Sequence, residues 1–184
     1  MKGIAFTLLN ELVETQFGMK AWEDVLKETG DDGIFTAAGS YSDSRIFNLV
    51  GGLSKQTGIA ADHLIRTFGQ FMFGGFVRHY PQFFEGETSP KELLKSVDGI
   101  IHVEVKKLFP EAVLPKFDYE DPGEGRLVMI YRSERKLCSL AEGLFNGAAK
   151  HFGTAIDHHQ TKCVHRGDDH CRFELSFGES NASK

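Results

Sequence analysis

The stretch "YRSER" ends an apolar run with hydrogen-bonding side chains at every second position. Alternate side chains of an extended chain share a face, so Tyr131, Ser133 and Arg135 point the same way. All three can donate hydrogen bonds to carboxylate or phosphate oxygens, and the guanidinium can donate two at once. Upstream, the same face carries Leu127 and Met129. The pattern predicts a face that points inwards to a ligand with several acceptor oxygens; a solvated strand end is the alternative.

His102 stands within "DGIIHVEVKKLFP", at the margin of an apolar stripe on a predicted helix. Gly99 lies one turn earlier, and its lack of a side chain would let a flat ligand come close to the backbone. Imidazole nitrogens are common metal ligands. His102 is therefore a candidate ligand. On this stretch alone, a partly buried histidine bonded to a backbone carbonyl is the alternative.

The cysteines form a further candidate site. The turn "RGDD" would fold Cys163 and Cys171 onto neighbouring strands, and Cys138 opens a helix that would dock nearby. Three thiolates and one imidazole suit tetrahedral zinc. The histidines that offer a fourth ligand are His158, His159, His165 and His170. The spacing lacks a C-x-x-C pair, so free thiols that lie close together are the alternative.

The elements that must position these residues change in type along the chain. Hydrophobic spacing predicts helices over about 2–17, 19–28, 44–57 and 60–77. A run over about 90–109 follows, in which β-branched residues leave helix and strand hard to separate. Then come a strand over 126–133, a helix over 134–152, and strands over 154–164 and 170–178. This order predicts an α+β fold: a helical N-terminal part followed by a small antiparallel sheet with helices. We expect one domain over 1–178, divided into a helical subdomain of about 1–65 and an α+β subdomain of about 66–178, with a disordered tail over 179–184.

Composition excludes several classes of partner. The 184 residues carry a net charge of -5, which argues against a nucleic-acid or anionic-membrane surface. The N-terminal stretch reads as an amphipathic helix and not as a signal peptide, because Glu11 and Glu14 interrupt its apolar run. No stretch approaches the roughly 20 apolar residues that cross a bilayer. These features predict a cytoplasmic protein, whose cysteines would be thiols or metal ligands.

Together, "MKGI", the histidine in "IHVEVKKLFPEAVLP" and the pattern Y-x-S-x-R resemble the bacterial heme nitric oxide/oxygen binding (H-NOX) family, in its stand-alone form, over nearly the whole chain. The resemblance implies a heme b buried between the helical part and the sheet. It makes His102 the proximal iron ligand and Tyr131, Ser133 and Arg135 the clamp on the heme propionates. It also implies that Pro115 packs on the heme and helps to distort it.

The resemblance further points to the ligand that binds. Oxygen-binding members have a distal tyrosine on the helix after Y-x-S-x-R, and the matching position here is Leu140. Leu144 lies one turn on, and we expect Leu9, Met72 and Phe76 to complete the wall. Bound dioxygen benefits from a hydrogen-bond donor, whereas nitric oxide binds ferrous heme strongly without one. An apolar wall therefore predicts selectivity for nitric oxide.

The cysteines resemble those of a zinc-binding subset of the family, which adds one histidine to three cysteines. Here the expected histidine position, three residues before Cys163, is Gln160. His159 is the nearest substitute and is expected to share a strand face with Cys163. The predicted zinc ligands are therefore Cys138, Cys163, Cys171 and His159.

We expect a non-enzymatic sensor of nitric oxide that regulates a separate signalling protein. The sequence shows no kinase or cyclase motif, and the resemblance implies a histidine kinase or a cyclic-di-GMP enzyme as the partner. The alternative on the same fold is a zinc and thiol redox sensor. Leu140 argues against an oxygen carrier, and a distal wall without a His or Arg general acid argues against a peroxidase.

Overall fold

Helices occupy the first part of the chain and an antiparallel sheet the last part in the computed structural model, which describes residues 1–87 and 89–180. The elements in chain order are α1 (Gly3–Phe17), α2 (Met19–Thr29), α3 (Asp43–Thr57), α4 (Ala61–His79), α5 (Pro90–Ser96), α6 (His102–Leu108), β1 (Lys116–Glu120), β2 (Arg126–Arg132), α7 (Cys138–Phe152), β3 (Thr154–Lys162) and β4 (Cys171–Ser180). The predicted α+β fold class is confirmed. Within the described residues, no helix is long and apolar enough to span a membrane.

Local sequence signals set several helix ends. Ser42 caps α3 by accepting a hydrogen bond from the Ser44 amide, and Ser89 caps α5 by accepting one from the Glu92 amide. Pro90 occupies the first turn of α5, where its missing N–H costs nothing. Gly153 ends α7 at a φ of 61°, in the left-handed region that glycine adopts without strain.

The helices α1 to α4 enclose one apolar core. Leu8 and Leu12 are buried along α1, as the predicted stripe requires, and they pack with Leu49 of α3 and Phe68 of α4. Helix α4 also reaches the second core through Phe73. The predicted subdomain boundary near residue 65 therefore falls inside α4, which contributes to both cores.

The second core lies between α7 and one face of the sheet. The strand order is β1-β2-β4-β3, with every neighbouring pair antiparallel. Phe145 of α7 meets Phe173 of β4 edge to face, with ring centroids 5.3 Å apart. Tyr131 of β2 stands opposite Phe117 of β1 on one side and Cys171 of β4 on the other. This register brings the "YRSER" segment and the cysteines close together.

Helices α4 and α7 approach each other closely at glycines. A Cβ atom at Gly143 would lie 2.0 Å from the Arg66 carbonyl oxygen, and one at Gly69 would lie 2.4 Å from the Leu140 carbonyl oxygen. Only glycine allows the two backbones to pack at this distance. This close contact fixes the position of Leu140 along α4.

The chain departs from the predicted elements at four places. The run 90–109, which the sequence left open between helix and strand, is helical and is divided into α5, a π-helical turn at Val97–Ile101 and α6. Strand β1 was not predicted, and α7 begins at Cys138, four residues later than expected. Strand β4 continues to Ser180 and so includes the first two residues of the predicted tail. Residues 181–184 of that tail lie outside the described residues.

Candidate functional site

His102 is the first residue of α6, directly after the π-helical turn. Its Nδ1 atom lies 3.3 Å from Oδ1 of Asp98, one turn earlier. The same carboxylate oxygen accepts a hydrogen bond of 3.2 Å from the Phe117 amide of β1. Turns of this wide type occur frequently at functional sites. Here the turn sets Asp98 and His102 side by side against the edge of the sheet.

The environment of His102 favours the form that binds metal. The side chain is 16% exposed. Burial lowers the pKa of His102 below its usual value of 6.5, although Asp98 opposes this shift. Among the described residues, only Asp98 bonds to the ring, at Nδ1, which leaves Nε2 free. A neutral imidazole with one nitrogen held by a carboxylate is the arrangement typical of metal-binding histidines.

Tyr131 lies beneath the surface of the clamp. The side chain is buried, and its hydroxyl accepts a hydrogen bond of 3.2 Å from the Leu137 amide. Burial raises the pKa of Tyr131, while the neighbouring Ser133 side chain and the Leu137 amide oppose the rise. Ser133 therefore lies close enough to Tyr131 to influence its ionisation.

Ser133 and Arg135 lie beyond the end of β2, which the sequence placed at residue 133. The Ser133 hydroxyl accepts a hydrogen bond of 3.2 Å from the Arg135 amide, which closes a turn. Lys136 then adopts a φ of 53°, which is rare for a residue other than glycine. Strand alternation therefore explains the position of Tyr131 but not that of Arg135.

Arg135 joins the sheet to the N-terminal helices. Its Nε atom lies 2.7 Å from Oδ2 of Asp43, and its Nη1 atom donates to the Val113 carbonyl oxygen at 2.5 Å. The Met1 ammonium group lies 2.7 Å from the other oxygen of Asp43. Burial opposes ionisation of Asp43, yet the ammonium and the guanidinium hold its pKa below the usual value. No described residue bonds to Nη2 of Arg135.

A groove of about 620 Å³ opens beside Ser133 and Arg135. The other residues that line it are Asp43, Phe47, Val113, Leu114, Lys116, Arg132 and Glu134. Pro115 is half-buried between two of these residues. Tyr131 does not line the groove, so the structure brings two of the three predicted clamp residues to its surface and places the third underneath.

The donor set fits a heme. A neutral imidazole with a free Nε2 suits ferrous iron, and a guanidinium with a free Nη2 beside hydroxyl groups suits carboxylates. The space next to Gly99 is also open, because a Cβ atom built there would meet no atom within 4 Å. Of these donors, Ser133 and Arg135 line the groove, whereas His102 lies outside it.

The predicted distal residues divide between the two cores. Leu9 and Met72 are buried in the N-terminal core, where Phe76 and Leu140 pack against them. Leu144 packs against the core beneath the sheet. Leu140 also lines a wholly apolar cavity of about 20 Å³, enough for one water-sized molecule.

The neighbours of Leu140 in that cavity were not predicted from the sequence. They are Met1, Ile46, Phe47, Val50, Ile65, Phe68 and Leu137. The helical spacing of Ile46 and Val50 in "DSRIFNLV" is the signal that would have indicated them. Helix α3 therefore lines the cavity beside Leu140, whereas the sequence had predicted lining residues on α1 (Leu9) and α4 (Met72 and Phe76).

The cysteines meet as predicted. The three Sγ atoms lie within 4.8 Å of one another, and those of Cys138 and Cys163 are 3.9 Å apart. All three residues are buried free thiols. Burial, together with the neighbouring Cys171, raises the pKa of Cys138 to about 12, and burial also raises the pKa of Cys171. The cluster is thus a set of neutral thiols that a thiophilic metal can deprotonate.

No histidine completes the cluster among the described residues. The predicted ligand His159 is exposed, because a bulge between Gln160 and Lys162 breaks the alternation that would have given it the face of Cys163. Gln160 faces the thiols instead and favours the Cys138 thiolate. Its Nε2 atom is buried and makes no hydrogen bond of normal geometry.

The other candidate histidines are engaged elsewhere. The His165 Nε2 atom lies 2.8 Å from the Lys136 carbonyl oxygen, and the His158 ring packs on Phe145. The His170 Nδ1 atom lies 2.7 Å from the Asp169 carboxylate. The set of four zinc ligands predicted from the sequence is therefore reduced to three thiols.

Comparison with known proteins gives one consistent family. The sequence profile of a family described as Haem-NO-binding matches residues 2–160. An H-NOX protein from S. oneidensis, solved in the Fe(II) state as a triple mutant, is 31% identical, with a TM-score of 0.94 over 100% of both chains.

Two further structures are similarly close. The S. oneidensis H-NOX protein in the Fe(II)NO state is 31% identical, with a TM-score of 0.92 over 97% of this chain and 100% of that one. The unliganded Fe(II) H-NOX protein from K. algicida is 31% identical, with a TM-score of 0.90 over 100% of both chains.

Proposed function

The chain belongs to the haem-NO-binding (H-NOX) family of heme-based gas sensors, and on this premise we propose that it binds nitric oxide at a ferrous heme held by His102 and regulates a separate signalling protein. The observation that carries the proposal is the setting of His102, which is half-buried, has its pKa lowered by burial, and is held through Nδ1 by Asp98 with Nε2 free. The relative from S. oneidensis solved in the Fe(II)NO state supports the choice of gas.

A ferrous heme with one protein ligand supplies an open coordination position at which a diatomic gas binds. In this chain His102 would provide the bond to iron, and Asp98 would orient the imidazole by accepting from Nδ1–H. Ser133 and the free Nη2 of Arg135 would hold the propionate oxygens at the groove, with Tyr131 buried beside Ser133.

Selectivity for nitric oxide rests on the apolar surroundings of Leu140. The residues that share its cavity offer no side-chain hydrogen-bond donor. Dioxygen bound to iron carries partial negative charge that such a wall leaves unsatisfied, so its binding is weakened, whereas nitric oxide needs no donor. Under this proposal the protein acts as a sensor of nitric oxide, in place of an oxygen carrier or an enzyme.

Output through a partner follows from the family resemblance. A histidine kinase or a cyclic-di-GMP enzyme remains the expected partner, and a cytoplasmic location remains a prediction from the sequence. The ion pairs of Asp43 with Arg135 and with the Met1 ammonium group favour such signalling. They connect the groove to the N-terminal helices, so a shift of the clamp is transmitted to that part of the chain.

The iron ligand is tested by replacing His102 with glycine. The variant should fold but lose heme during purification, and free imidazole should restore heme loading because it can occupy the space left by the side chain. His63→Gly, at an exposed position on α4, is the matched control and should keep its heme. Unchanged heme content in His102→Gly would show that another residue ligates the iron.

A second candidate function is a thiol redox sensor, and the convergence of three buried thiols favours it. A peroxide would oxidise Cys138 and Cys163, whose sulfur atoms are 3.9 Å apart, to a disulfide while it is reduced to water. Counting free thiols before and after one equivalent of peroxide tests this: loss of two thiols supports it, and three persistent thiols exclude it. Zinc, the metal predicted from the sequence, would find three of its four ligands here.

A further inference from the structure

The three sulfur atoms are spaced to hold a single metal ion. A metal–sulfur distance of about 2.3 Å gives a sulfur–sulfur separation of roughly 3.8 Å in a tetrahedral site and roughly 4.0 Å in a trigonal plane. The separation of 3.9 Å between Cys138 and Cys163 lies between these values, and Cys171 is within 4.8 Å of both. An ion can therefore bind all three with small side-chain adjustments.

The fourth side of this cluster is closed by Gln160. Gln160 shares the inward face of Ile156, His159 is exposed, and the bulge after Gln160 brings Cys163 onto the inward face as well. The amide Nε2 atom is shielded from solvent and has no acceptor. An amide N–H cannot ligate a cation, but it can donate to a thiolate, and a buried donor without an acceptor is costly. The side chain thus suits a site in which cysteine sulfur carries negative charge.

The described residues supply a donor set of three sulfur atoms and no imidazole. Zinc in structural sites is almost always bound by four ligands in a tetrahedron, whereas Cu(I), a soft ion that thiolates also bind, accepts three ligands. A water molecule as fourth zinc ligand would have to displace the Gln160 amide from a position that is shielded from solvent. The arrangement disfavours the zinc site expected from the family.

We propose that Cys138, Cys163 and Cys171 bind one Cu(I) ion as a three-coordinate thiolate site, with Gln160 as a hydrogen-bond donor to the Cys138 sulfur. Binding exchanges thiol protons for the ion and involves no change of oxidation state. The inference deepens the second candidate function, because it identifies the ion for the same thiols, and it does not depend on heme binding.

The test is anaerobic titration of the heme-loaded protein with Cu(I) against a colorimetric chelator, followed by X-ray absorption at the copper edge. We expect one Cu(I) per chain with three sulfur neighbours, and loss of this binding in Cys163→Ser. His159→Ala is the control and should bind copper normally. Absence of stoichiometric copper, or a nitrogen neighbour that disappears in His159→Ala, would overturn the proposal.

Gln160→His provides the reciprocal test. The new imidazole should raise the affinity for Zn(II) by at least about tenfold over the native chain, since ligand changes of this kind alter affinity roughly 10- to 100-fold. Zinc that binds the native chain as tightly as it binds the variant would contradict the three-coordinate site. The heme absorption spectrum and its response to nitric oxide, recorded on the same samples, report separately on the heme function.

Discussion

One oxygen of Asp98 lies 3.3 Å from Nδ1 of His102 and also accepts the backbone N–H of Phe117 at 3.2 Å. A single carboxylate therefore orients the imidazole and ties α6 to β1. The Tyr119 hydroxyl lies 3.4 Å from the Asp98 amide and connects the same strand to the turn. The position of the candidate iron ligand is thus fixed by the sheet as well as by its own helix.

Asp98→Asn should weaken heme retention without changing the axial ligand. The asparagine can still accept from the Phe117 amide, but it cannot support the basicity of His102 as a carboxylate does. Losses of such outer partners typically cost about 10- to 100-fold in affinity. Transfer of heme to an excess of a heme-scavenging apoprotein measures the effect. Asp118→Asn, on the exposed side of β1, should behave like the native protein.

The heme-free protein should be less stable at mildly acidic pH because of His102. Burial lowers the pKa of His102 below 6.5, so the unfolded chain binds the proton more readily than the folded chain does. The contribution of the neutral imidazole is complete above pH 6.5 and is lost as the pH falls below it. The urea midpoint of unfolding should fall more between pH 7.5 and pH 5.5 for the native chain than for His102→Gln. Midpoints that change by the same amount with pH in both proteins would contradict the lowered pKa of His102.

Arg135→Ala should increase the rate of heme loss. A charge-assisted hydrogen bond contributes about 1.5 to 3 kcal/mol, which corresponds to roughly a tenfold to hundredfold faster loss. Asp43→Asn distinguishes the contact of Arg135 with the propionates from its ion pair with Asp43. The substitution weakens the ion pair but keeps the guanidinium that would bind the propionates. Its heme loss should change much less. Equal loss in both variants would mean that Arg135 acts by holding the two parts of the chain together.

The helices and the class of fold followed from the sequence because apolar periodicity over 11 to 19 residues is a strong signal. Strand β1 was missed although Phe117 and Tyr119 alternate with charged residues, since five residues after a proline resemble a loop. The π-helical turn at Val97–Ile101 has no sequence signature of its own. It depends on Asp98 reaching β1, a contact between residues 19 positions apart.

Site residues could be predicted from the sequence where the residue type alone identifies them. They could not be predicted where a bulge or a turn changes the direction of a side chain. His102 and the three cysteines were identified by residue type, and the cysteines do meet. His159 was assigned by strand alternation, which one extra residue before Lys162 reverses. The cavity beside Leu140 is lined by residues of α3, α4 and α7, and no local pattern encodes how these helices come together.

Leu140→Tyr should give weak oxygen binding that the native protein lacks. The new hydroxyl would contribute the net value of one hydrogen bond, about 1 kcal/mol, which is a several-fold gain in oxygen affinity. The gain stays small because Leu9 and Met72, which pack in the same core, offer no partner to orient the phenol. Leu140→Phe has the same ring without the donor and should show no gain. Oxygen affinities from stopped-flow association and dissociation rates compare the two.

The most direct test of nitric oxide sensing is the absorption spectrum of the ferrous, heme-loaded protein, recorded first under air and then after nitric oxide is added. The apolar cavity beside Leu140 predicts the spectrum of an unliganded five-coordinate heme under air and complete conversion with nitric oxide. A stable oxygen complex of the native protein would contradict the account, because a hydrogen-bond donor would then have to lie next to the bound gas.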